Sequence, residues 1–432
     1  MNFVNIKKNQ EIFSKKITFY YKKPDLLTRL SILSMSAKYD NSCSSSGGKR
    51  ETHPYGIGNS YLSGICHTWS SDGRCVSLLK ILMTNFCINN CKYCINRRQN
   101  DVPRAILTPE EIANLTLEFY RRNYIEGLFL SSGIYRNPDY TMELMIKAAK
   151  ILRYKYYFNG YIHLKLIPGA SRELIEEAFK VADRVSSNLE LPTEESLKKL
   201  APDKSFIKLY QPLQVIRDIY EEKQLKAPAS TQIIIGATPD TDKTILSVSE
   251  KLYREKMVRR VYYSAYIPVN KDKDLPDIKN PPFLREHRLY QADWLLRFYG
   301  FKLDELFENS ENLSLEIDPK LAWALRHLEN FPIELTKADY YELIRIPGIG
   351  PVSAKKIIQA RKYGELSPES LKKLGIPLKR AKYFITIKGK SLLQLNKKEI
   401  NLFKEKQLEL FPKFFINLPC KFSYTTVHFV DF

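Results

Sequence analysis

Apolar and polar positions fall into a repeating pattern from about residue 76 to residue 269. Short apolar runs typical of buried strands alternate with stretches of helical periodicity, such as 109–122 and 141–154. The predicted strands are 76–85, 127–133, 161–169, 183–192, 230–238 and 260–269. Strands that alternate with helices indicate a parallel sheet with right-handed crossovers. Six such units predict an α/β protein with a partial (β/α)6 barrel, short of the eight units that close one.

Polar side chains recur at every second position of three predicted strands. Side chains two residues apart lie on the same face of a strand. The three polar faces are Tyr161, His163 and Lys165; Arg184, Ser186, Asn188 and Glu190; and Tyr262, Ser264 and Tyr266. Because buried polar groups without partners are costly, this pattern predicts a barrel interior that forms a ligand cavity. The alternatives are a self-satisfied hydrogen-bond network and a slipped register.

Three cysteines are clustered directly after the first predicted strand. Residues 85–97 read NFCINNCKYCINR, and Cys87, Cys91 and Cys94 are spaced C-x3-C-x2-C. This loop lies at the carboxyl end of its strand, where α/β barrels place their chemistry. Three thiolates can bind three irons of a four-iron four-sulfur cubane, which leaves the fourth iron open for a small molecule. A zinc site, which is the alternative, would usually include a fourth Cys or His at matching spacing.

The other cysteines are Cys43, Cys66, Cys75 and Cys420. In a reducing compartment, clustered cysteines are more often metal ligands or catalytic groups than disulfides. Cys43, Cys66 and Cys75 precede the motif, and we consider them candidate ligands of a second, auxiliary iron–sulfur cluster. Buried cysteines without a ligand role are the alternative. Cys420 lies in an irregular tail and is interpreted as structural.

Basic residues outnumber acidic ones by a wide margin. The chain has 68 Lys and Arg against 48 Asp and Glu, so its formal charge is 68 − 48 = +20. This charge favours an anionic partner, above all nucleic acid. The codon usage of an AT-rich genome is the alternative explanation. No apolar run approaches the roughly 20 residues that span a bilayer, and no secretory signal is visible, so we expect a cytoplasmic protein without a membrane partner.

A glycine-containing turn separates two short helical patterns near the end of the chain. Residues 341–362 read YELIRIPGIGPVSAKKIIQARK. The glycines permit positive φ, and the N–H groups that begin the second helix can face a phosphate. The pattern resembles the helix-hairpin-helix motif of DNA repair proteins, which binds the duplex backbone; a hairpin used for packing or protein contact is the alternative. The candidate DNA-binding residues are Gly348, Ile349, Gly350, Lys355, Lys356 and Arg361.

The cysteine motif resembles that of the radical S-adenosylmethionine superfamily. The resemblance rests on the C-x3-C-x2-C spacing, on the aromatic Tyr93 before the third cysteine and on the position after the first strand. It implies a partial TIM-like barrel of the radical S-adenosylmethionine type and a four-iron four-sulfur cluster whose open iron binds S-adenosylmethionine. One electron would then cleave the sulfonium to a 5′-deoxyadenosyl radical that abstracts hydrogen from the substrate. It also implies an external electron donor such as flavodoxin or ferredoxin.

The same resemblance implies which residues contact S-adenosylmethionine. The family's second strand ends in a Gly-Gly-Glu-like turn, and this chain has Ser131-Ser132-Gly133 there, so the turn is kept and the Glu is absent. We therefore expect backbone carbonyls to recognise the methionine amine. The implied cofactor-binding residues are Tyr93, Ser131, Ser132, Gly133, Asn188, Glu190, Gly236 and Ser264.

The barrel motif and the hairpin together resemble one group within that superfamily. Its members are described as DNA modification or repair proteins associated with a uracil-DNA-glycosylase-like partner. The resemblance covers about residues 25–388 and includes the segments GICHTWSSDGRC, LFLSSG, GYIHLKLIPGAS and LYQADWLLRFYGF. It favours a radical enzyme that acts on DNA. An RNA-modifying radical enzyme and a non-enzymatic redox sensor that binds nucleic acid are the alternatives.

The expected organisation has six parts. The barrel precedes an all-α helix-hairpin-helix domain, and the other segments flank or connect these two. The parts are a basic arm (1–30), a cysteine-containing extension (31–75), the partial barrel (76–275), a helical connector (276–330), the hairpin module (331–388) and a tail (389–432).

Overall fold

A curled seven-stranded sheet is the main feature of the computed structural model, which describes residues 24–37, 65–69, 75–223 and 229–393. The strands follow each other in chain order across the sheet. They are β1 (Ile65–Trp69), β2 (Cys75–Leu82), β3 (Gly127–Ser131), β4 (Tyr161–Lys165), β5 (Arg184–Ser186), β6 (Ala229–Ile235) and β7 (Arg260–Ala265). Strands β2 to β7 are parallel, which confirms the six predicted strands and the partial barrel. The antiparallel strand β1 was not predicted.

Helices cover the outside of this sheet. They are α1 (Leu26–Ser36), α2 (Pro109–Arg121), α3 (Pro138–Lys150), α4 (Arg172–Val181), α5 (Glu194–Leu200), α6 (Phe206–Lys223) and α7 (Asp242–Arg254), with a π-helical turn at Ile151–Lys155. Helix α2 begins with a capping box, in which Thr108 and Glu111 bond each other's backbone N–H, and with Pro109 where no N–H partner is needed. Arg29 of α1 forms an ion pair with the same Glu111 at 2.7 Å.

The two faces of the sheet differ in chemistry. The register places Lys80, Phe129, His163 and Arg184 side by side on the inner face. Their outer-face neighbours, such as Leu79, Leu128 and Ile162, are buried in the main apolar core. The polar inner faces predicted from the alternation in β4, β5 and β7 are therefore confirmed.

The inner face is not an empty cavity along its whole length. His163 Nε2 lies 2.9 Å from Ser186 Oγ, and the Phe129 and His163 rings stack with centroids 4.3 Å apart. Arg184 donates to Ser230 Oγ at 3.0 Å and to the Tyr262 hydroxyl at 2.8 Å. A hydrogen-bond network, which was the alternative interpretation, thus fills the lower and middle part of the barrel. Only the carboxyl ends of the strands remain to line a cleft.

A helical connector follows the barrel. It contains α8 (Phe283–Phe298), α9 (Leu303–Leu306), α10 (Pro319–Arg326) and a 3-10 turn at Leu328–Asn330. Glu286 of α8 accepts a hydrogen bond from Ala265 N at 2.6 Å, which attaches this helix to the end of β7. In the described part of the chain, no helix combines the length and apolar character needed to cross a membrane.

The last described region is a pair of helical hairpins. The elements are β8 (Ile333–Glu334), α11 (Tyr340–Arg345), α12 (Pro351–Tyr363), α13 (Pro368–Lys373), α14 (Leu378–Ala381), β9 (Ile385–Ile387) and β10 (Lys390–Ser391). The region is mainly helical, as predicted, but a three-stranded sheet that was not predicted joins its two ends. Ion pairs connect it to the connector: Arg345 lies 2.7 Å from Glu305, and Arg380 lies 2.9 Å from Asp318.

Candidate active site

One cleft at the carboxyl ends of the strands brings together the three predicted cluster ligands and seven of the eight predicted cofactor-binding residues. The predicted residues that line it are Cys87, Cys91, Cys94, Tyr93, Ser131, Ser132, Gly133, Asn188, Glu190 and Ser264. No other Cys and no His of the described residues lines it. The three thiols of the motif therefore face a shared space without a fourth side chain of the same kind.

The cysteine loop is held from inside by a single arginine. Arg104 donates hydrogen bonds to the carbonyl oxygens of Asn85, Asn96, Arg97 and Asn100, at 2.5–2.9 Å. These four carbonyls lie before and after the cysteines, so one guanidinium fixes both sides of the loop. We call this set of contacts the Arg104 clamp.

A second set of contacts ties the cysteine loop to the segment that follows β7. Asn270 Nδ2 donates to the carbonyl oxygens of Lys92 at 2.7 Å and Cys94 at 2.8 Å. Its Oδ1 accepts from Asn100 Nδ2 at 2.7 Å. Lys92 also forms an ion pair with Asp274. Since β2 and β7 are the first and last parallel strands, these contacts, the Asn270 latch, bridge the open side of the partial barrel.

The turn after β3 presses against the cysteine loop. A Cβ on Gly133 would lie 2.4 Å from the Phe86 carbonyl oxygen and 3.2 Å from that of Thr84, so this close approach requires glycine. Gly133 N also donates to Thr84 O at 2.7 Å. The turn predicted from Ser131-Ser132-Gly133 is thus in place at the cleft.

A partly buried ion pair in the cleft wall was missed by the sequence analysis. Lys204 Nζ lies 3.1 Å from Glu190 Oε1 and 3.5 Å from the Tyr93 hydroxyl. Although burial opposes its charge, attraction to Cys91 and Glu190 raises the pKa of Lys204 well above its usual range. Lys204 therefore supplies a fixed positive charge beside the cysteines. No periodicity or spacing marks it, because it lies in a loop after α5.

Burial keeps the thiols of the motif protonated unless a cation compensates for the charge of their thiolates. Burial raises the pKa of Cys91, and it raises the pKa of Cys94 to about 12. Thiolates in such a place need positive charge from a metal to be stable. Within the described ranges, no three His, Cys, Asp or Glu side chains are arranged to hold a single metal ion. A cubane differs because each cysteine binds a different iron, so the three thiols fit a four-iron four-sulfur cluster.

Three polar atoms in the cleft wall fit a polar small molecule. Asn96 Oδ1, Asn188 Oδ1 and the Tyr266 hydroxyl are buried without a hydrogen-bond partner in the described structure. A buried polar atom without a partner costs about 1–3 kcal/mol, so a ligand that bonds these atoms gains binding energy. Tyr266 had a sequence signal, because it belongs to the predicted polar face of the last strand. Asn96 had none beyond its place in the cysteine loop.

Gly236 is not among the residues that line the cleft, and the cofactor-binding role that the resemblance implied for it stays a prediction. Its φ is +80°, and a Cβ there would lie 2.7 Å from Pro282 Cγ. The glycine therefore allows a turn after β6 and a close contact with the residue before α8.

The auxiliary-cluster hypothesis fails for the two cysteines that can be placed. Cys66 pairs with Leu78, and Trp69 pairs with Cys75. Because opposed residues share a face and faces alternate along a strand, Cys66 and Cys75 lie on opposite faces of the ribbon. Cys66 is buried in a small apolar cluster, whereas Cys75 is exposed at the amino end of β2, away from the cysteine loop. Cys43 and Cys420 lie outside the described residues.

Two of the three predicted DNA-binding cations already have internal partners. Lys356 Nζ donates to Leu374 O at 2.9 Å, between the two hairpins. Arg361 donates to Leu335 O at 3.3 Å and Ala338 O at 2.6 Å. Both side chains therefore stabilise the hairpin region itself, and Arg361 in particular is committed to backbone carbonyls. Lys355 is exposed.

The predicted glycine turn is present between α11 and α12. Gly348 has φ +90°, and a Cβ there would lie 3.4 Å from Ala381 N and from Pro377 O, so the first hairpin packs directly on the second. Ile349 is buried, and Lys320 Nζ donates to its carbonyl oxygen. Gly350 is the N-cap of α12 and has no side-chain cap.

A protein-family model matches the part of the sequence that contains the three cysteines of the cleft. The sequence model described as the Radical SAM superfamily matches residues 81–252, which contain the three cysteines and strands β3 to β6. No curated protein matches the sequence.

Several solved structures are similar to part of this chain, at low identity and low TM-score. The FeFe-hydrogenase maturase HydG from Carboxydothermus hydrogenoformans is 13% identical with a TM-score of 0.37, over 75% of this chain and 65% of that one. Methylornithine synthase (PylB) is 15% identical with a TM-score of 0.39, over 50% and 60%. Coproporphyrinogen III oxidase (HemN) from Escherichia coli is 16% identical with a TM-score of 0.33, over 49% and 50%. The matched regions thus span between one half and two thirds of those proteins.

Proposed function

We propose, from the radical S-adenosylmethionine domain that residues 81–252 form, that this protein is an enzyme that modifies or repairs DNA. Proteins of this superfamily are enzymes that use a four-iron four-sulfur cluster and S-adenosylmethionine. The observation that carries the radical-enzyme part of the proposal is the cleft shared by Cys87, Cys91 and Cys94. No fourth Cys or His of the described residues is present there. The proposed location is a reducing compartment such as the cytoplasm.

The bound cluster and S-adenosylmethionine would supply reductive cleavage of the sulfonium to a 5′-deoxyadenosyl radical. The chain's own residues hold and orient these groups. Cys87, Cys91 and Cys94 would ligate three irons, and the Arg104 clamp and the Asn270 latch keep their loop in one conformation. Asn188 and Tyr266 offer buried polar atoms to the bound S-adenosylmethionine. The hydrogen-bonded network below the cleft excludes water from the barrel side.

The hairpin region supports DNA as the substrate. Its first hairpin carries the glycine turn, in which Gly350 begins α12 without a side-chain cap, so backbone N–H groups next to the exposed Lys355 can bind a phosphate. The formal charge of +20 favours a polyanion. Phosphate contacts of this kind position an enzyme without reading sequence. The proposed protein partners are an electron donor of flavodoxin or ferredoxin type and a uracil-DNA-glycosylase-like protein.

Anaerobic reconstitution tests the cluster. Wild-type protein should bind about four irons per chain and form 5′-deoxyadenosine with dithionite. Cys94→Ala should lose the cluster and nucleoside formation, whereas Cys75→Ala should keep both, because Cys75 lies at the other end of β2. Full nucleoside formation in Cys94→Ala would refute the assignment of the motif. About eight irons per chain would reopen the question of a second cluster.

Nucleic acid added to the same assay tests the substrate class. Duplex DNA with uracil, abasic or crosslinked lesions should increase 5′-deoxyadenosine formation above the level without DNA. Structured RNA of matched length is the control. Stimulation by RNA alone would replace the DNA proposal with an RNA-modifying enzyme. An intact cluster with no nucleoside under any condition would favour the redox-sensor alternative.

A further inference from the structure

We propose that the surface around Cys87 is the docking site for a small acidic one-electron carrier protein. We call this surface the donor face and define it by Phe86, Ile88, Arg98, Tyr135 and Arg136. The inference rests on the proposed function, because the carrier's role is to reduce the metal group held by Cys87, Cys91 and Cys94. It adds the partner's binding surface, which no feature of the cysteine motif identifies.

The donor face exposes two large apolar side chains on either side of a ligand cysteine. Phe86 is 41% exposed and Ile88 is 40% exposed, while Cys87 between them turns toward the cleft. Apolar side chains presented together beside a functional group are typical of an interaction site. Cys91 and Tyr93, by contrast, are packed against the cleft wall beside Lys204. Cys87 is therefore the candidate cluster ligand whose two neighbours in the sequence, Phe86 and Ile88, have exposed side chains.

The backbone that presents these side chains is fixed. Phe86 N donates to Thr84 Oγ1 at 3.1 Å, and Ile88 N donates to Ile134 O at 2.9 Å. The close contact of Gly133 with the Phe86 carbonyl adds a steric limit. Phe86 and Ile88 are thus held in a pre-organised arrangement, which lowers the entropy that a partner must remove on binding.

Aromatic and cationic side chains extend the same face. The rings of Phe86 and Tyr135 have centroids 6.2 Å apart, and the Arg136 guanidinium lies 5.4 Å from the centroid of Tyr135. Arg98 is exposed, and its backbone N–H donates to the carbonyl oxygen of Asn89 at 2.9 Å, which holds the main chain at Arg98 beside the residue that follows Ile88. Neither arginine forms an ion pair with a carboxylate of the described residues. Aromatic residues and arginines are enriched at protein interfaces, where they contribute most of the binding energy.

The positive charge of the donor face favours an acidic protein as the partner. Two exposed arginines on a chain of net charge +20 attract an acidic protein and steer its approach. The step itself is a one-electron transfer: the reduced carrier loses one electron, the oxidised metal group held by the three cysteines gains it, and no bond forms or breaks. Because Cys87 is one residue from both exposed apolar side chains, docking here brings the carrier next to a metal ligand. Nucleic acid is the other anionic occupant, and the experiment separates the two.

The test compares two reductants with one charge-reversed variant. Reduction of reconstituted Arg98→Glu/Arg136→Glu would be followed by absorbance, with reduced flavodoxin as the carrier and dithionite as the small reductant. We expect the second-order rate constant with flavodoxin to fall about tenfold or more at low ionic strength and to approach the wild-type value at high salt. Reduction by dithionite should change less than twofold. Lys180→Glu is the matched control, because the exposed Lys180 lies in the last turn of α4, at the opposite end of the barrel.

Each outcome decides the proposal. Equal flavodoxin rates in the variant and in wild type would overturn it, as would an equal loss in Lys180→Glu. A loss with both reductants would also overturn it, because the substitutions would then have damaged the cluster loop.

A second variant, Phe86→Ala, should raise the flavodoxin concentration that is needed to saturate the reduction rate, without changing the salt dependence of that rate. If the double variant instead loses only stimulation by DNA in the dithionite assay, the donor face is a nucleic-acid surface. Absence of any cluster in wild-type protein would refute the proposed function and is distinct from all these results.

Discussion

The cysteine loop and the hairpin region differ in which side chains bond their backbone carbonyls. In the cysteine loop, Arg104 and Asn270 bond backbone carbonyls, so the reactive thiols remain turned toward a cleft. In the hairpin region, Lys356 and Arg361 bond backbone carbonyls themselves, although the sequence pattern suggested them for DNA. The first region uses auxiliary residues to hold functional ones. The second uses the suspected functional residues as structural ones.

This difference shows what a short motif determines. The three cysteines lie within eight consecutive residues, so their spacing alone brings them to one loop. A cation on a helix can point to solvent or to a neighbouring carbonyl, and only the packed structure decides. The three thiols line one cleft, as their spacing indicates, whereas the DNA-binding role of the cations stays a prediction, because two of the three bond backbone carbonyls.

The largest expected effect concerns the Arg104 clamp. Arg104→Ala removes four hydrogen bonds that a charged guanidinium donates. The backbone carbonyls before and after the three cysteines then lose their hydrogen-bond donor. We expect a loss of roughly 3 kcal/mol or more in the free energy of unfolding, because two of the four bonds, at about 1.5 kcal/mol each, already account for that much. Iron retained after gel filtration should fall to a small fraction of the wild-type value. Iron analysis and electron paramagnetic resonance of the reduced protein measure this.

Arg121→Ala is the matched control for that experiment. Arg121 is exposed and forms an ion pair with Glu118 at 3.1 Å. A surface pair of this kind contributes about 0–1 kcal/mol, so iron retention should not change. Wild-type iron content in Arg104→Ala would show that the loop keeps its conformation without the clamp, and the contrast between the two regions would then weaken.

A second, intermediate effect concerns the buried His287 of the connector. His287 lies on α8, beside Arg288, and burial lowers its pKa to about 4 from the usual 6.5. In the unfolded chain this histidine takes up a proton as the pH falls below about 6.5, while the folded protein does not. The resulting stability is present above pH 6.5 and is lost toward pH 4. Between pH 7 and pH 5 the loss should be about 2 kcal/mol.

Denaturant titrations at pH 7 and pH 5 measure this loss. His287→Gln should remove most of the difference between the two pH values that the histidine causes. His67→Gln is the control, because His67 is exposed on β1. If wild type and His287→Gln lose the same free energy of unfolding between pH 7 and pH 5, the stability of the protein does not depend on a neutral His287.

Much of the fold follows from periodic patterns, but the supporting residues of the site do not. Strands β2 to β7 and the polar faces of β4, β5 and β7 were predicted, because alternation is a property of neighbouring residues. Lys204, Arg104 and Asn270 were missed, since each acts on backbone or side chains that only folding brings near. Asn270, for example, bonds the carbonyl of Lys92, which lies 178 positions earlier. The cofactor-binding role of Gly236 stays a prediction, because a positive-φ glycine serves a turn as well as a ligand.

The smallest expected effect separates the cations of α12. If the hairpins bind the DNA backbone, Lys355→Ala should remove one phosphate contact, whereas Lys356→Ala should not, since its amino group bonds Leu374 O. The slope of log affinity against log salt should therefore become shallower by about 0.9 in Lys355→Ala and stay constant in Lys356→Ala. Lys356→Ala should instead lower the stability of the hairpin region by about 0.5–1 kcal/mol.

Fluorescence anisotropy with a labelled duplex at several salt concentrations provides that slope, and thermal denaturation provides the stability. The pair of variants is informative because the two lysines are adjacent in sequence, have the same charge and are both exposed. Equal slopes in the two variants would mean that Lys356 leaves its carbonyl partner when DNA binds. The hairpin cations would then resemble the cysteines in being available for function, and the contrast between the two regions would hold only for the protein without DNA.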